Sequence, residues 1–190
     1  MSMDQSLILA SASPRRRELI GYMGIPFEII TADAEEMKEG TPEALVMENA
    51  RRKAQAVARN YAGRIVLGAD TIVYLNDRVL GKPRDEKEAC EMLSMLSGAW
   101  HTVYTGVCVI KDEYLDVRCD ASRVLFVKLD EKTIAHYVKT GEPMDKAGAY
   151  ALQGRGGMFV DRIEGSYSNV IGLPMAMARD MLRNAGIEKL

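Results

Sequence analysis

The feature that most constrains this fold is a junction that occurs twice: a hydroxyl residue and a proline that together open a helix. At Ser13-Pro14 it directly follows the short apolar run Leu7 to Ala10, and at Thr41-Pro42 it recurs downstream. A Ser or Thr N-cap accepts from the otherwise unpartnered first N–H groups of a helix, and proline at the first helical position lacks an N–H that would have no partner anyway. The pattern predicts a buried strand at Leu7 to Ala10, a helix from Ser13 that stops near Gly24, a strand at Phe27 to Ile30, and a second helix carrying Arg51, Arg52 and Lys53.

Downstream the alternation continues. Ile65 to Leu67 reads as a strand ending at Gly68-Ala69-Asp70. Thr71 to Leu75 continues extended, and Asn76-Asp77 turns the chain into Arg78 to Leu80. Asp85 with Glu88 predicts a capping box for a helix ending near Gly98. His101 to Ile110 and Tyr114 to Leu129 read as a hairpin around Asp112-Glu113, and Asp130 opens a helix that ends at Gly141. The glycine-rich Gly154 to Gly157 precedes a strand at Met158 to Ile163, and a last helix runs from Pro174 to Ala185. Long strands mixed with flanking helices indicate an α/β fold within one domain spanning 1–190.

Composition narrows the partners. A net charge of -2 gives no global pull toward nucleic acid or an anionic membrane, and no apolar run reaches the length of a membrane span. The three cysteines, Cys90, Cys108 and Cys119, form no C-x-x-C pair, which points to a reducing cytoplasm rather than to disulfides or zinc. His101 and His136 share no ligand spacing. The methionines at 92, 95, 175, 177 and 181 lie near helical spacing and read as core filling.

Five clusters carry chemistry. At Ser11-Ala12-Ser13-Pro14-Arg15-Arg16-Arg17, hydroxyls and guanidiniums meet at a helix start, where free N–H groups and the dipole favour a phosphate. Alone, this segment reads as a capped helix with a solvated basic turn. Asp70 in Gly68-Ala69-Asp70-Thr71 sits where α/β sheets place ligands, able to hold Mg²⁺ or orient a water. The acidic stretch Asp33, Glu35, Glu36 and Glu39 offers a second carboxylate. Lysines stand at Lys53, at Lys82 between Gly81 and Pro83, and at Lys146. Gln153 beside Gly154 presents an acceptor and two donors that match the N3–H and O4 edge of uracil or thymine.

In order and number these segments resemble the Maf family of nucleotide pyrophosphatases: LASASPRRREL (9–19), the stretch around Lys53, GADTIV (68–73), GKP (81–83), TGV (105–107), EPMDKAGAYALQG (142–154) and GSYSNVIGLP (165–174). The resemblance implies a mixed, elongated sheet with flanking helices, two lobes around a cleft, like inosine triphosphate pyrophosphatases. It implies hydrolysis of a nucleoside triphosphate to the monophosphate and pyrophosphate with a divalent cation, Mg²⁺ or Mn²⁺, held by Glu36 and Asp70. Asp70 matches the catalytic acid/base position. Ser11, Arg16, Glu36, Lys53 and Lys82 match positions lining the phosphate and metal site, and Ser13 shares the phosphate turn. Arg15, Thr71 and Gln153 match the subgroup acting on dTTP and UTP, whereas the subgroup acting on 7-methylguanosine triphosphate typically has Trp and Glu in place of Arg15 and Gln153. Charge and apolar pattern lead us to expect no nucleic-acid or membrane partner, the cysteines a cytoplasmic protein, and a homodimer is the default assembly. A non-catalytic nucleotide-binding regulator of cell division is the competing expectation.

Overall fold

The computed structural model describes residues 7–188 and 190. The chain divides into two compact units, one of residues 1–70, 105–120 and 172–190, the other of 71–104 and 121–171. In chain order the elements are β1 (Leu7–Leu9), α1 (Pro14–Tyr22), β2 (Phe27–Ile29), α2 (Pro42–Ala58), β3 (Ile65–Leu75), β4 (Arg78–Leu80), α3 (Glu86–Leu96), β5 (Trp100–Lys111), β6 (Tyr114–Phe126), α4 (Glu131–Val138), β7 (Val160–Glu164), α5 (Tyr167–Ile171) and α6 (Met175–Asn184). Short 3₁₀ turns lie at Glu142–Asp145, Ala147–Ala149 and Arg155–Phe159. The strands form one mixed seven-stranded sheet of order β2-β1-β3-β5-β6-β7, with β4 paired antiparallel to β3. No helix among the described residues is long and apolar enough to cross a membrane.

Both hydroxyl-proline junctions form as the sequence predicts. The Ser13 side chain accepts from Arg16 N and that of Thr41 from Ala44 N, each with proline in the first turn. Asp85 caps α3 by accepting from Glu88 N, and Asp130 caps α4 by accepting from Thr133 N. Asn76 and Asp77 both take positive φ, 48° and 59°, the conformation of a tight two-residue hairpin turn.

Three boundaries differ from expectation. Gly68 does not end a strand: β3 runs unbroken from Ile65 to Leu75. A Cβ at Gly68 would stand 2.6 Å from Ala50 O and 2.8 Å from Ala54 N, so this glycine is there to let the backbone of α2 lie on the strand. The second long hairpin strand stops at Phe126 rather than Leu129, because Leu129 N donates to Ser97 Oγ (2.7 Å) instead of to a strand. Residues 155–159, expected to lead straight into a strand at Met158, instead coil tightly, with Gly157 N donating to Gly154 O (3.1 Å), and β7 begins at Val160. Of the expected core methionines, Met92 and Met181 are buried, while Met95 faces outward at 38% exposure.

Each unit has its own apolar core. In the first, Ile8, Val66, Cys108 and Ile110 of the sheet pack on Ala50, Ala54 and Val57 of α2. In the second, Val73, Leu80, Val124 and Phe126 pack on Leu93 and Leu96 of α3, Tyr137 of α4, and Phe159.

Candidate active site

The order β2-β1-β3 is what assembles the site. β1 lies between β2 and β3 and runs parallel to both, with Leu9 opposite Ile29 and Leu67. All three strands therefore point their carboxyl ends toward one sheet edge, the place where open α/β sheets bind ligands. The loop after β2 carries Glu36, the turn after β1 carries Ser11 to Arg16, and β3 continues past its pairing with β1 to Asp70. Asp70 thus lies within a continuous strand, not at a strand exit, and is 9% exposed.

Helix α2 completes the group. Asn49 and Lys53 are four residues apart and so share one helix face. That face is drawn close because α2 rests on Gly68 of β3 and on Gly106 of β5, where a Cβ would stand 2.7 Å from Met47 N. Lys53 Nζ donates to Asp70 Oδ1 at 2.6 Å and pairs with Glu36 Oε1 at 2.7 Å. One ammonium therefore bridges two carboxylates. Glu35, the neighbour of Glu36, takes a different part: its carbonyl accepts from Arg52 Nη1 (2.9 Å).

Asn49, which the sequence reading passed over, is 5% exposed and ties two parts of the site together. Its Oδ1 accepts from Met37 N (2.6 Å), while its Nδ2 donates to Met37 O (3.1 Å) and Asp70 Oδ2 (3.4 Å). Asn49 thereby fastens the loop bearing Glu36 and leaves Asp70 Oδ1 to Lys53. A polar residue one helical turn before Lys53, on the buried stripe of Val46, Ala50 and Ala54, was the available signal.

The helix start stands beside these carboxylates. Ser11 is buried, and its Oγ accepts from Ser13 N (3.3 Å) and from Arg16 Nη1 (3.1 Å). Arg16 Nε donates to Gly172 O (2.8 Å), which locks the guanidinium plane. Burial lowers the Arg16 pKa to about 10, with Arg15 adding to the drop while Asp70 and Glu36 oppose it. The guanidinium thus remains charged at neutral pH and lies within the field of both carboxylates. A partly desolvated cation of this kind gains from a multiply charged anion. Arg15 and Ser13 are half-buried on the same turn.

The remaining predicted residues belong to the second unit. Thr71 follows Asp70 on the opposite face of β3 and is half-buried. Lys82 is exposed in the turn after β4, where Gly81 O accepts from Gly148 N (3.1 Å) and so links the GKP and DKAG segments. Gln153 is exposed in the loop that ends in the 155–159 turn. Among the described residues no three or more His, Cys, Asp or Glu side chains group as a metal site. What converges instead is the two-carboxylate pair of Asp70 and Glu36.

Residues 6–185 match the family described as Maf, Maf-like protein. The chain is 50% identical over 190 residues to the dTTP/UTP pyrophosphatase of Pelotomaculum thermopropionicum, covering 98% of this chain and 100% of that one. It is 49% identical over 174 residues to the dTTP/UTP pyrophosphatase of Bacillus cereus strain G9842, covering 90% and 91% of the two chains. Its fold is similar to that of the Staphylococcus aureus Ham1 protein, with a TM-score of 0.55 at 14% identity over 95% of this chain and 100% of that one. The likeness at that identity is one of fold alone, and it agrees with the mixed α/β sheet expected from the sequence. With the family match running from residue 6 to 185 and about half of all positions shared with curated relatives, the chain belongs to the Maf-like family.

Proposed function

We propose that this chain hydrolyses pyrimidine nucleoside triphosphates, dTTP and UTP or their modified forms, to the nucleoside monophosphate and pyrophosphate by attack of water on the α-phosphorus. The observation that carries the reading is the buried Asp70 carboxylate, held between Lys53 and Asn49 beside the Ser11–Arg16 helix start. The names of relatives at 49–50% identity support the pyrimidine substrates.

Transfer from a triphosphate demands positioning and charge neutralisation more than covalent help. Arg16, Lys53 and Lys82 provide cationic contacts to the phosphates, and the helix start provides neutral N–H and hydroxyl donors. Asp70 orients the attacking water and accepts its proton. Thr71 and Gln153 read the pyrimidine edge, and Arg15 selects the substrate subgroup. A free aspartate, with a pKa of about 3.9, is a weak base at neutral pH, so it works best on a water made more acidic.

A divalent cation fits here. Asp70 and Glu36 are hard oxygen donors that already converge on one positive centre, the Lys53 ammonium, within 2.7 Å. Mg²⁺ or Mn²⁺ commonly takes one or two protein carboxylates and completes its shell with water and phosphate oxygens. When bound by Asp70 and Glu36, the ion would neutralise phosphate charge and acidify water.

A non-catalytic regulator has no use for a carboxylate oriented and buried as Asp70 is. The three cysteines, free in this structure, favour a reducing cytoplasm. A homodimer is the natural assembly for such an enzyme, and its mass in solution tests that. The central test is a panel of dTTP, UTP, CTP, ATP and GTP with Mg²⁺ or Mn²⁺, with pyrophosphate measured separately from orthophosphate. Pyrophosphate released fastest from UTP and dTTP is expected. Orthophosphate as sole product overturns attack at the α-phosphorus, and binding without product returns the regulator.

A further inference from the structure

The segment EPMDKAGAYALQG contains one residue that the reading above leaves without a task. Glu142 is 11 residues before Gln153 in sequence, yet its carboxylate reaches across to the loop that bears Gln153. Glu142 Oε2 accepts from Arg155 N (3.1 Å), and Oε1 accepts from Gly156 N (3.1 Å). Oε1 also accepts from the Tyr137 hydroxyl (2.8 Å), and that hydroxyl oxygen in turn accepts from Ala151 N (3.3 Å). Gln153 therefore stands on a loop tied at both ends, at Ala151 on one side and at Arg155 and Gly156 on the other, to a single Tyr137–Glu142 pair.

The glycines make that contact possible. A Cβ at Gly154 would lie 2.6 Å from the Glu142 Cδ, and one at Gly156 would lie 2.7 Å from the Tyr137 hydroxyl. A methyl group at either position would crowd the Glu142 carboxylate or the Tyr137 hydroxyl. Tyr137 is 3% exposed and belongs to the core of the second unit, so the anchor is fixed to the rigid part of the fold. The carboxylate is held ionised. Its partial burial raises the pKa, but the N–H groups of Gly156 and Arg155, the Tyr137 hydroxyl and the Lys146 charge outweigh that, and the net direction is down. An ionised carboxylate accepting several N–H and O–H bonds is a strong and directional clamp.

We infer that Glu142 is a positioning residue for base selection: it sets where the Gln153 amide stands, and through Gln153 it sets the preference for pyrimidine triphosphates. This inference rests on Gln153 reading the base, as proposed above. Selectivity built on paired donors and acceptors is lost when one partner is misplaced.

The test uses the full-length enzyme and three variants, Glu142→Gln, Gln153→Ala and the double variant, assayed for KM and kcat on UTP and GTP. A glutamine at 142 keeps the shape but turns an amide N–H₂ toward one of the two backbone N–H groups. Glu142→Gln is expected to raise KM for UTP roughly tenfold, to reduce the UTP-over-GTP preference by about the same factor, and to leave kcat within about twofold. The double variant is expected to be no worse than Gln153→Ala, because both losses run through one side chain. Additive losses, or unchanged selectivity in Glu142→Gln while Gln153→Ala loses it, overturn the role of Glu142 alone. Unchanged selectivity in Gln153→Ala overturns the base reading itself and the inference with it. If Glu142→Gln does not fold, Tyr137→Phe takes its place: it removes the hydroxyl shared by Glu142 and Ala151, and a smaller loss of the same kind is expected. Full selectivity in Tyr137→Phe, with Gln153→Ala impaired, overturns the inference equally.

Discussion

At the scale of single residues, the candidate site converges on one nitrogen. Lys53 Nζ touches Asp70 and Glu36 at once, and the two Asp70 oxygens are divided, Oδ1 accepting from Lys53 and Oδ2 from Asn49. Asp70→Asn keeps the size and the contact to Asn49 but removes the charge and the proton acceptor. Turnover is expected to fall by about 10²–10³-fold or more, while nucleotide affinity, measured by titration calorimetry, stays within several-fold. A near-normal rate in Asp70→Asn would remove Asp70 from the reaction. Ser11, Arg16, Lys53 and Asp70 were all legible as residue types in suggestive local settings. Asn49 showed only as a polar residue on the apolar stripe of its helix, which marks burial but not a partner. Its importance comes from Met37 and Asp70, which are distant in sequence.

At the scale of elements, the site depends on how closely α2 approaches the sheet. Gly68 and Gly106 let the helix backbone rest on β3 and β5, and this brings Asn49 and Lys53 to Asp70. Read along the sequence, Gly68 looks like a strand end. In the structure it is a contact surface inside an 11-residue strand. Gly68→Ala would drive a methyl group to within 2.9 Å of the Ala54 Cβ and closer to the α2 backbone. Overpacking of this kind costs about 1–3 kcal/mol, so a lower melting temperature is expected. Turnover should drop as well, since the helix that bears Lys53 must move. A variant with wild-type melting and wild-type rate would show that the close approach is dispensable. Helix starts were read correctly because capping is local: Ser13, Thr41, Asp85 and Asp130 each bond an N–H within three residues. The ends of β6 and the start of β7 were misread because Ser97 and Gly154, far off or glycine-led, redirect the backbone there.

At the scale of the molecule, stability has an acid-sensitive component. His101 is 2% exposed, packed edge-on to Phe126, with Nε2 2.9 Å from the Tyr150 hydroxyl. Burial pushes its pKa from 6.5 down to about 4, with the Ala99 backbone opposing slightly. Unfolding restores the ordinary value, so between those two pH values the unfolded chain binds a proton that the folded chain does not. Stability therefore declines as pH falls through that window, by roughly 3 kcal/mol in full. Urea unfolding at pH 7 and pH 4.5 should show a smaller acid loss for His101→Gln than for wild type. Equal losses would exclude His101 as the source. The sequence by itself determined the elements, their caps, the α/β class and the kinds of side chain available for phosphate chemistry, because each of these follows from contacts within a few residues or from the period of the apolar pattern. Only the tertiary structure decided that β1 lies between β2 and β3, that Glu36 rather than Glu35 reaches Lys53, that Asn49 bonds Met37 and Asp70, and that Glu142 bonds the loop bearing Gln153. Strand order and such side-chain contacts join residues from 12 to 58 positions apart, and no local preference encodes a pairing that exists only once the chain has folded back on itself.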